Sequence, residues 1–525
     1  MYDYKFSGEH RVRLVFDGSR QSPETYDETY APTARQESVR LFHAVTVEES
    51  YAIGQYDVPQ AFLKAFMDHV IFAYPPKGQA TFDGQLLKVK RALYGGKQSA
   101  FLWFQMVNAF LLELGFVASP LDSCFYRRHD AVLILFCDDM RIGASPAVLV
   151  SLHQALFEKF GVTTAPGNRF LGMDTHYDCA NGILKISMET YITSTVERFD
   201  NFDLSGGVPF RELVGCLLWV TLCVMGPELL RVKDLARLCN SYTPADYAQA
   251  LKVLRRVSDR KQHGLVFRRG SAGQELIPSA TRTPLACGET VFDDLGLVID
   301  IDQSELRQKL LCKSVIVSSD ESPTSSYAVP DPDGLDLVRV LLPVNARYSL
   351  VVYGDASFAV GSLKQSISGY VIYLNGTPLL WGSLKQTIVV DSSCSAEFVA
   401  ASVAVKQLLH AENMIGFLGF TCKKPYRMYT DSMACLHIAT NPAKLGNVRH
   451  LQIRYHLVRC YVTLGDVEMQ FCITEEMVAD LFTKLVAGAQ DERLTVRFYC
   501  LIPGFEAFVL TNDFKHDSST TMTLV

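Results

Sequence analysis

Two adjacent aspartates interrupt a strongly apolar stretch of this sequence. The run LILFCDDMRIG spans residues 133–143, and its apolar residues stop at Asp138 and Asp139 before they resume. Neighbouring carboxylates repel each other, and aspartate is disfavoured inside strands. The apolar flanks predict a strand, a tight turn and a second strand, with the carboxylates at the end of the hairpin. An Asp-Asp pair is usually only a turn, so its chemistry depends on a further carboxylate.

A third carboxylate, Asp57, follows an extended stretch in QYDVPQAFLKAF, where the residues after it predict a helix. Asp57 and Asp138 are expected to converge from neighbouring strands. Mg²⁺ prefers oxygen ligands and usually takes one or two protein carboxylates together with substrate phosphates. Two such ions clamp the attacking and leaving oxygens of a phosphoryl transfer. The sequence therefore predicts a metal site in which cations neutralise carboxylates that otherwise repel.

Four more acids are spread over the C-terminal part of the chain. Asp355 is expected at the end of a strand in LVVYGDASF, and Glu397 in the first turns of a serine-capped helix in SSCSAEFVAAS. Asp431 ends the strand in RMYTDSMA, and Asp480 lies in a predicted helix in EEMVADLFTK. Each acid alone is more often a surface charge or a cap than a ligand. Together they predict a dense oxygen site suited to two-metal hydrolysis of a phosphodiester.

The composition is that of a globular protein of two or three domains. The chain has 525 residues, of which 48% are hydrophobic and 20% charged, with a net charge of -6. Basic residues cluster at Lys88, Lys90, Arg91 and Lys97 and again over residues 255–269. Such clusters are often solvated faces, but they can also hold a phosphate backbone. The 14 cysteines form no CxxC pair, which argues against a zinc ribbon or a disulfide framework.

Several segments in the first 268 residues resemble the reverse transcriptase of copia-type LTR retrotransposons. In order, they are QYDVPQAFLKAF, LLKVKRALYGGKQSAFLWF, LGFVASPLDSCFYRR, LILFCDDM and NRFLGMD. The resemblance implies that Asp57, Asp138 and Asp139 are the polymerase carboxylates, with Asp139 the least direct ligand. FCDD stands where the family usually has Tyr-Val-Asp-Asp, a change that keeps both acids.

The same resemblance implies three binding residues. Phe62 matches the bulky residue that bars a ribose 2′-hydroxyl, although an ordinary core phenylalanine is the alternative. Gln98, in GGKQS, matches a residue that helps to hold the incoming nucleotide or the template. Arg13, in RVRLV, corresponds to an arginine that binds the triphosphate.

The C-terminal segments resemble the RNase H domain of these retrotransposons. They are GDASF, SISGYVIYLNG, WGSLKQTIVVDSS, VRHLQIRYHLVR and MVADLFTK. The resemblance implies that Asp355, Glu397, Asp431 and Asp480 hold two metal ions. In SSCSAEF the family has two glutamates, and Ser395 replaces the first. Glu397 aligns with the catalytic glutamate.

The resemblance implies an α+β chain with polymerase fingers and palm, a helical thumb-like segment and an RNase H-like α/β domain with a mixed sheet. The expected divisions are 1–208 for fingers and palm, 209–269 for the thumb-like segment, 270–345 for a poorly ordered linker or insertion, 346–488 for the RNase H-like domain and 489–525 for a C-terminal tail. Each active site is expected to use two Mg²⁺ ions, or Mn²⁺ in their place. The expected partners are an RNA template, a DNA primer, RNA–DNA hybrid and dNTPs. The capsid and integrase of the same element are further expected partners, and no association with a membrane is expected.

Some features depart from the family and leave alternatives open. Gly226-Pro227-Glu228 replaces the family's Arg-Pro-Asp, and the segment between the two predicted catalytic regions is longer than usual. No capsid, protease or integrase segment precedes the polymerase, so we expect a processed product, a fragment or a decayed copy. The alternatives are a remnant that only binds nucleic acid and an unrelated metal-dependent nuclease. By analogy, the expected location is a cytoplasmic virus-like particle, or the nucleus.

Overall fold

A computed structural model of the protein describes residues 2–4, 10–12, 14–75, 85–202, 207–273, 278, 347–360, 365–441 and 452–499. The described residues fall into two compact units. Residues 2–191 and 266–269 form unit 1, and residues 192–265 and 270–499 form unit 2. Both units combine helices with sheets, so the predicted α+β class is confirmed. Among these residues, no helix combines the length and the apolar character needed to cross a bilayer.

Unit 1 is built on a six-stranded antiparallel sheet. The strands of unit 1 as a whole, including those outside this sheet, are β1 (Tyr2–Tyr4), β2 (His10–Val12), β3 (Ala52–Asp57), β4 (Phe66–Ala73), β5 (Leu87–Arg91), β6 (Val117–Ala118), β7 (Phe125–Arg128), β8 (Ala131–Phe136), β9 (Asp139–Ala144), β10 (Thr163–Thr164), β11 (Arg169–Phe170), β12 (Met173–Asp178), β13 (Ile183–Ser187) and β14 (Leu265–Arg268). The last of these begins in unit 2. Its helices are α1 (Gln36–Glu48), α2 (Ala61–Lys64), α3 (Ser99–Glu113) and α4 (Pro146–Phe160).

The order of the main sheet is β10-β3-β9-β8-β7-β6. The apolar run of β8 is buried along almost its whole length, which explains why its sequence does not alternate. Helix α1 packs on β8 and β9, and α4 packs on β3 and β9. The helix predicted after Asp57 is only the single turn α2, because the chain enters β4 directly after it. Strands β4 and β5 form a separate two-stranded ribbon.

Unit 2 contains a five-stranded sheet and most of the helices. The strands are β15 (Tyr348–Val360), β16 (Gln365–Leu374), β17 (Thr377–Lys385), β18 (Cys422–Thr430) and β19 (Val467–Phe471). The helices are α5 (Glu189–Asp200), which begins in unit 1, α6 (Phe210–Cys223), α7 (Leu229–Ala236), α8 (Pro244–Asp259), α9 (Ser393–Phe417), α10 (Met433–Thr440), α11 (Gln452–Thr463) and α12 (Gly488–Tyr499). Short 3-10 helices cover Gly226–Glu228, Thr474–Glu476 and Val478–Phe482.

The sheet of unit 2 is mixed, as predicted. Its order is β17-β16-β15-β18-β19; β15, β16 and β17 are antiparallel, whereas β18 and β19 run parallel to β15. Asn375 and Gly376 join β16 to β17 with φ values of 49° and 81°, the type I′ geometry that the Asn-Gly pair predicts. Helix α9 connects β17 to β18 and is capped at its N-terminus by Ser392, whose side chain accepts a hydrogen bond from the Ser395 backbone N–H.

A buried ion network joins the helices α7 and α8 to α12 within unit 2. Glu228 and Asp491 are the anions, and Arg231, Arg256 and Arg260 are the cations. Arg256 Nε lies 2.6 Å from a Glu228 oxygen, and Arg260 binds Glu228 at 3.0 Å and Asp491 at 2.7 Å. Burial acts to raise the pKa of Asp491, but hydrogen bonds from Arg260 and Arg256 outweigh it and leave that pKa lowered. The network therefore favours the charged form of Asp491.

These contacts divide the chain differently from the sequence-based boundaries. The helices of 209–259, expected to accompany the polymerase as a thumb-like segment, share a compact unit with the mixed sheet. Trp381 of β17, for example, donates to the Thr221 carbonyl at 3.1 Å. The expected tail begins with α12, which buries Leu494 and Phe498. Residues 279–346, most of the expected linker, lie outside the described residues.

Replacing Asp491 with alanine leaves three arginines around one buried carboxylate. Removing one partner from a buried ion pair costs about 3–5 kcal/mol, and we expect the free energy of unfolding to fall by that amount. The measurement is urea unfolding followed by tryptophan fluorescence, because Trp381 packs against Phe498 of α12. In the control Asp234→Ala, which breaks an exposed pair with Arg237, the loss should be about 0.2–1 kcal/mol. Equal losses in the two variants would contradict a structural role for the network.

Candidate active sites

The first carboxylate group, which we call the hairpin site, consists of Asp57, Asp138 and Asp139. Strands β8 and β9 are joined by Cys137 and Asp138, as the sequence predicted. Of these two turn residues only Cys137 has a positive φ, 56°, a conformation that is strained for a residue with a side chain. Trp103 of α3 holds the turn, since its indole N–H donates to the Cys137 carbonyl at 2.7 Å.

The register of β3 and β9 brings the hairpin site together. Asp57 is the last residue of β3, and its Cα partner across the sheet is Asp139, the first residue of β9. The Val58 N–H donates to the Asp138 carbonyl at 3.1 Å, which ties the turn to the end of β3. Burial, followed by the charges of Asp138 and Asp57, raises the pKa of Asp139 to about 6. The three acids therefore lie close enough for the charges of Asp57 and Asp138 to disfavour ionisation of Asp139.

Gln98 is fully buried, with its side-chain amide hydrogen-bonded on both sides. Its oxygen accepts from Gln21 Nε2 at 2.7 Å, and its nitrogen donates to the Thr25 carbonyl at 2.8 Å and to Asp68 Oδ1 at 3.2 Å. Phe62 lies on α2, half-buried, with its ring 4.9 Å from that of Tyr94. Arg13 lies outside the described residues.

The second group, which we call the sheet site, consists of Asp355, Glu397, Asp431 and Asp480. Asp355 lies inside β15 and not at its end, because this strand continues to Val360; its side chain is almost completely buried. Glu397 is in the first turns of α9, and Asp431 directly follows β18. Carboxylate oxygens of these three acids lie within 4.8 Å of one another, the one such group of three found among the described residues.

Asp480 joins the site from the 3-10 helix Val478–Phe482, where the sequence predicted a longer helix. Lys484 bridges two of the acids, because its Nζ lies 2.9 Å from Asp480 and 3.7 Å from Asp355. The Thr483 hydroxyl donates to Asp355 Oδ2. Thr483 and Lys484 were not predicted, although they follow Asp480 by three and four residues, the spacing that places side chains on one side of a helical turn.

A glycine allows this segment to approach the sheet. Gly369 of β16 is the Cα partner of Asp355. A Cβ at position 369 would lie 2.6 Å from Thr483 Cγ2 and 2.9 Å from the Ala479 carbonyl oxygen. Those distances are shorter than van der Waals contact, and the carbonyl is backbone, so only glycine lets the Asp480 segment pack here.

The electrostatics of the sheet site suit a cation. Burial and then the charge of Asp480 raise the pKa of Asp355, and burial raises that of Asp480. Burial, followed by the charges of Asp355 and Asp431, raises the pKa of Glu397 to about 9. Asp355 Oδ1 is buried and has no hydrogen-bond partner within the described part of the chain. An all-oxygen set with an unpaired buried oxygen fits a hard divalent cation.

Comparison with known proteins identifies the N-terminal region. Residues 2–209 match the family model described as reverse transcriptase (RNA-dependent DNA polymerase). Together with the transposon relatives that follow, this match confirms the resemblance to the copia-type enzymes that the sequence indicated.

Relatives that match over most of the chain are Pol polyproteins of transposons. The chain is 23% identical over 509 residues to the retrovirus-related Pol polyprotein from transposon RE1 of Arabidopsis thaliana, covering 90% of this chain and 29% of the relative. It is 22% identical over 514 residues to that from transposon TNT 1-94 of Nicotiana tabacum, covering 91% and 33%. The chain thus spans about a third or less of these relatives. The solved foamy viral protease-reverse transcriptase in complex with RNA/DNA hybrid is 13% identical, with a TM-score of 0.26 over 85% of this chain and 68% of that one.

Sequence reasoning missed one residue of unit 1 that organises the hairpin site. Arg141 of β9, two residues after Asp139, is fully buried. Its guanidinium donates to Gln55 Oε1 at 3.1 Å, to Thr175 Oγ1 at 3.0 Å and to the Gly167 carbonyl at 2.5 Å. These partners come from β3, β12 and the loop before β11, so Arg141 ties β9 to three other segments next to Asp139. The available signal was a single arginine within an apolar strand.

We expect the metal-free protein to lose stability as the pH rises. When the pKa of a carboxyl is raised in the folded state, that state binds the proton more tightly than the unfolded chain. The stabilisation is complete below the unfolded pKa, about 4.3 for glutamate, and is lost as the pH rises towards the folded value, about 9 for Glu397. The melting temperature in EDTA should therefore fall between about pH 5 and pH 9.

Asp355→Asn tests this directly, because it removes an ionisable group from the site and keeps the shape of the side chain. We expect a higher melting temperature than wild type in EDTA at neutral pH and a weaker dependence on pH, with about 2–4 °C for each kcal/mol gained. The exposed acid Glu475 provides a control, Glu475→Gln, that should change neither. If Asp355→Asn melted at a lower temperature than wild type in EDTA, the claim that the acids of the sheet site repel each other would be contradicted.

Proposed function

We propose that this chain is a bifunctional nucleic-acid enzyme: an RNA-directed DNA polymerase that also cuts the RNA strand of an RNA–DNA hybrid. The observation that carries the proposal is the clustering of seven predicted carboxylates into two groups, the hairpin site in unit 1 and the sheet site in unit 2. The register of β3 and β9 brings the acids of the hairpin site together. At the sheet site, close packing at Gly369 brings the segment of Asp480 to the sheet. The match of residues 2–209 to the reverse transcriptase family model and the Pol polyprotein relatives support the polymerase assignment.

In the hairpin site, Asp57 and Asp138 would hold Mg²⁺, or Mn²⁺ in its place, while Asp139 supports them from its position opposite Asp57. In the sheet site, Asp355, Glu397, Asp431 and Asp480 would hold the ions. When bound, such ions neutralise the developing charge of a phosphoryl transfer and align the attacking and leaving oxygens. The proposed substrates are an RNA or DNA template, a DNA primer and dNTPs for the first site, and RNA–DNA hybrid for the second.

The chain's own residues supply the rest of the geometry. In the sheet site, Thr483 orients Asp355 through its hydroxyl, and Lys484 partly offsets the negative charge of Asp355 and Asp480. In the hairpin site, Phe62 is proposed to exclude a ribose 2′-hydroxyl. Gln98 is proposed to act indirectly, because its amide is bonded to the loop of residues 21–25 and fixes that loop.

Two isosteric variants separate the two activities. Asp138→Asn should abolish primer extension on an RNA template with Mg²⁺, because it removes a ligand charge while keeping the turn. It should retain cleavage of a labelled RNA–DNA hybrid. Glu397→Gln should do the reverse. Loss of a catalytic carboxylate should lower the affected rate at least about a hundredfold, or about 2.7 kcal/mol of transition-state stabilisation.

The matched control is Asp130→Asn, which changes a carboxylate that pairs with Arg128 beside β8 and lies outside both sites. It should keep both activities. Folded wild-type protein that binds hybrid but shows neither activity with Mg²⁺ or Mn²⁺ would reject the enzymatic proposal and favour a remnant that only binds nucleic acid.

A further inference from the structure

The ribbon formed by β4 and β5 exposes apolar rings that the core of unit 1 does not use. Phe72 is 56% exposed and Tyr74 is 88% exposed, and Val70 and Leu86 are exposed as well. The opposite face of the ribbon is turned inward, because Ile71 is buried. In a strand with one solvent-facing side that side is normally polar. An apolar exposed side therefore indicates a surface that something covers.

The strand register places lysines beside these apolar side chains. Phe72 is the Cα partner of Lys88, and directly paired residues share a face. Since side chains alternate along a strand, Val70 lies on the face of Phe72, and Lys90 lies on that of Lys88. Tyr74 directly follows β4 and Leu86 directly precedes β5, and both are exposed. We call this set the outer ribbon face. Its members are Val70, Phe72, Tyr74, Leu86, Lys88 and Lys90.

The base of the ribbon repeats the combination of ring and cation. Phe66 is the Cα partner of Arg91, and the Arg91 guanidinium lies 3.6 Å from the centroid of the Phe66 ring. The Arg91 side chain also donates to the Lys64 carbonyl at 2.6 Å, which holds it in place. A ring therefore pairs with a cation at two places on the ribbon, Phe66 with Arg91 and Phe72 with Lys88.

This combination selects one class of partner. Unpaired bases stack on aromatic side chains, and cations track the phosphate backbone, which together make up the common mode of single-strand binding. A duplex offers no free base faces to these rings. A protein partner is less suited, because lysine is depleted from the cores of protein interfaces. The basic cluster seen in the sequence at Lys88, Lys90 and Arg91 thereby gains a structural role.

We infer that the outer ribbon face binds single-stranded nucleic acid by base stacking on Phe72 and Tyr74 and by phosphate contacts to Lys88 and Lys90. If the proposed polymerase function holds, the strand bound there is the unpaired template. That last step rests on the proposed function, whereas binding of a single strand does not.

The test measures the affinity for fluorescein-labelled oligo-dT by anisotropy over a series of salt concentrations. Stacking contributes about 1–3 kcal/mol per base, so the double variant Phe72→Ser/Tyr74→Ser, which removes two rings, should bind at least about thirtyfold more weakly. The double variant Lys88→Gln/Lys90→Gln should reduce the slope of log K against log salt by about 1.4, from two phosphate contacts at about 0.7 each. These exposed positions leave the core intact, and circular dichroism checks the fold.

The matched control removes a ring and a cation elsewhere in unit 1. Phe157 and Lys159 are exposed on α4, and Phe157→Ser/Lys159→Gln should retain wild-type affinity and salt slope. Unchanged oligo-dT binding in both ribbon variants would overturn the inference. Unchanged binding together with altered self-association in sedimentation would overturn it in favour of a protein interface.

Primer extension separates this inference from the proposed function. If the template strand occupies the outer ribbon face, the ratio of extension on templates with long and short single-stranded overhangs should fall towards one in the Phe72→Ser/Tyr74→Ser variant. A ratio equal to that of wild type would overturn the template assignment. Absence of extension by the wild type would reject the polymerase proposal, and the oligo-dT titration would still decide whether the ribbon binds a single strand.

Discussion

Repulsion between carboxylates that are held close together is the constraint on which both candidate sites depend. At the hairpin site, Asp57 and Asp139 face each other across paired strands, and Asp138 is in the adjoining turn. At the sheet site, Asp355 is almost completely buried beside other acids. Carboxyl groups in such a position either have a pKa above the usual value, so that they keep their protons at higher pH, or need a cation to neutralise them. A protein keeps this arrangement at a cost in stability, which is typical of a functional site.

The surrounding structure enforces this proximity by local devices of different kinds. At the hairpin site a strained turn is held by Trp103, and buried Arg141 joins β9 to three other segments. At the sheet site the absence of a side chain at Gly369 admits the segment that carries Asp480, and Thr483 secures Asp355. In unit 2 a separate ion network binds the helices to α12. Rigid scaffolds of this kind resist the separation that repulsion favours.

Local sequence patterns predicted the features that local interactions determine. The hairpin around Asp138, the Asn375-Gly376 turn and the capped start of α9 follow from short-range preferences, and the mixed sheet followed from the family resemblance. The position of Asp355 inside a long strand depends on pairing with β16 and β18 and was not predicted. The same holds for the grouping of the thumb-like helices with the mixed sheet, because it rests on contacts such as that of Trp381 with the Thr221 carbonyl, 160 residues apart. Long-range partners leave little trace in one sequence.

The most direct test of the central claim is to count the protons released when Mn²⁺ binds. Titration calorimetry at neutral pH, in buffers of different ionisation enthalpy, gives that number. If repulsion raises the carboxyl pKa values, bound metal must displace protons, and wild-type protein should release more protons per ion than Glu397→Gln. Binding without proton release, equal in the two proteins, would show that the carboxylates are already fully ionised and would contradict the account.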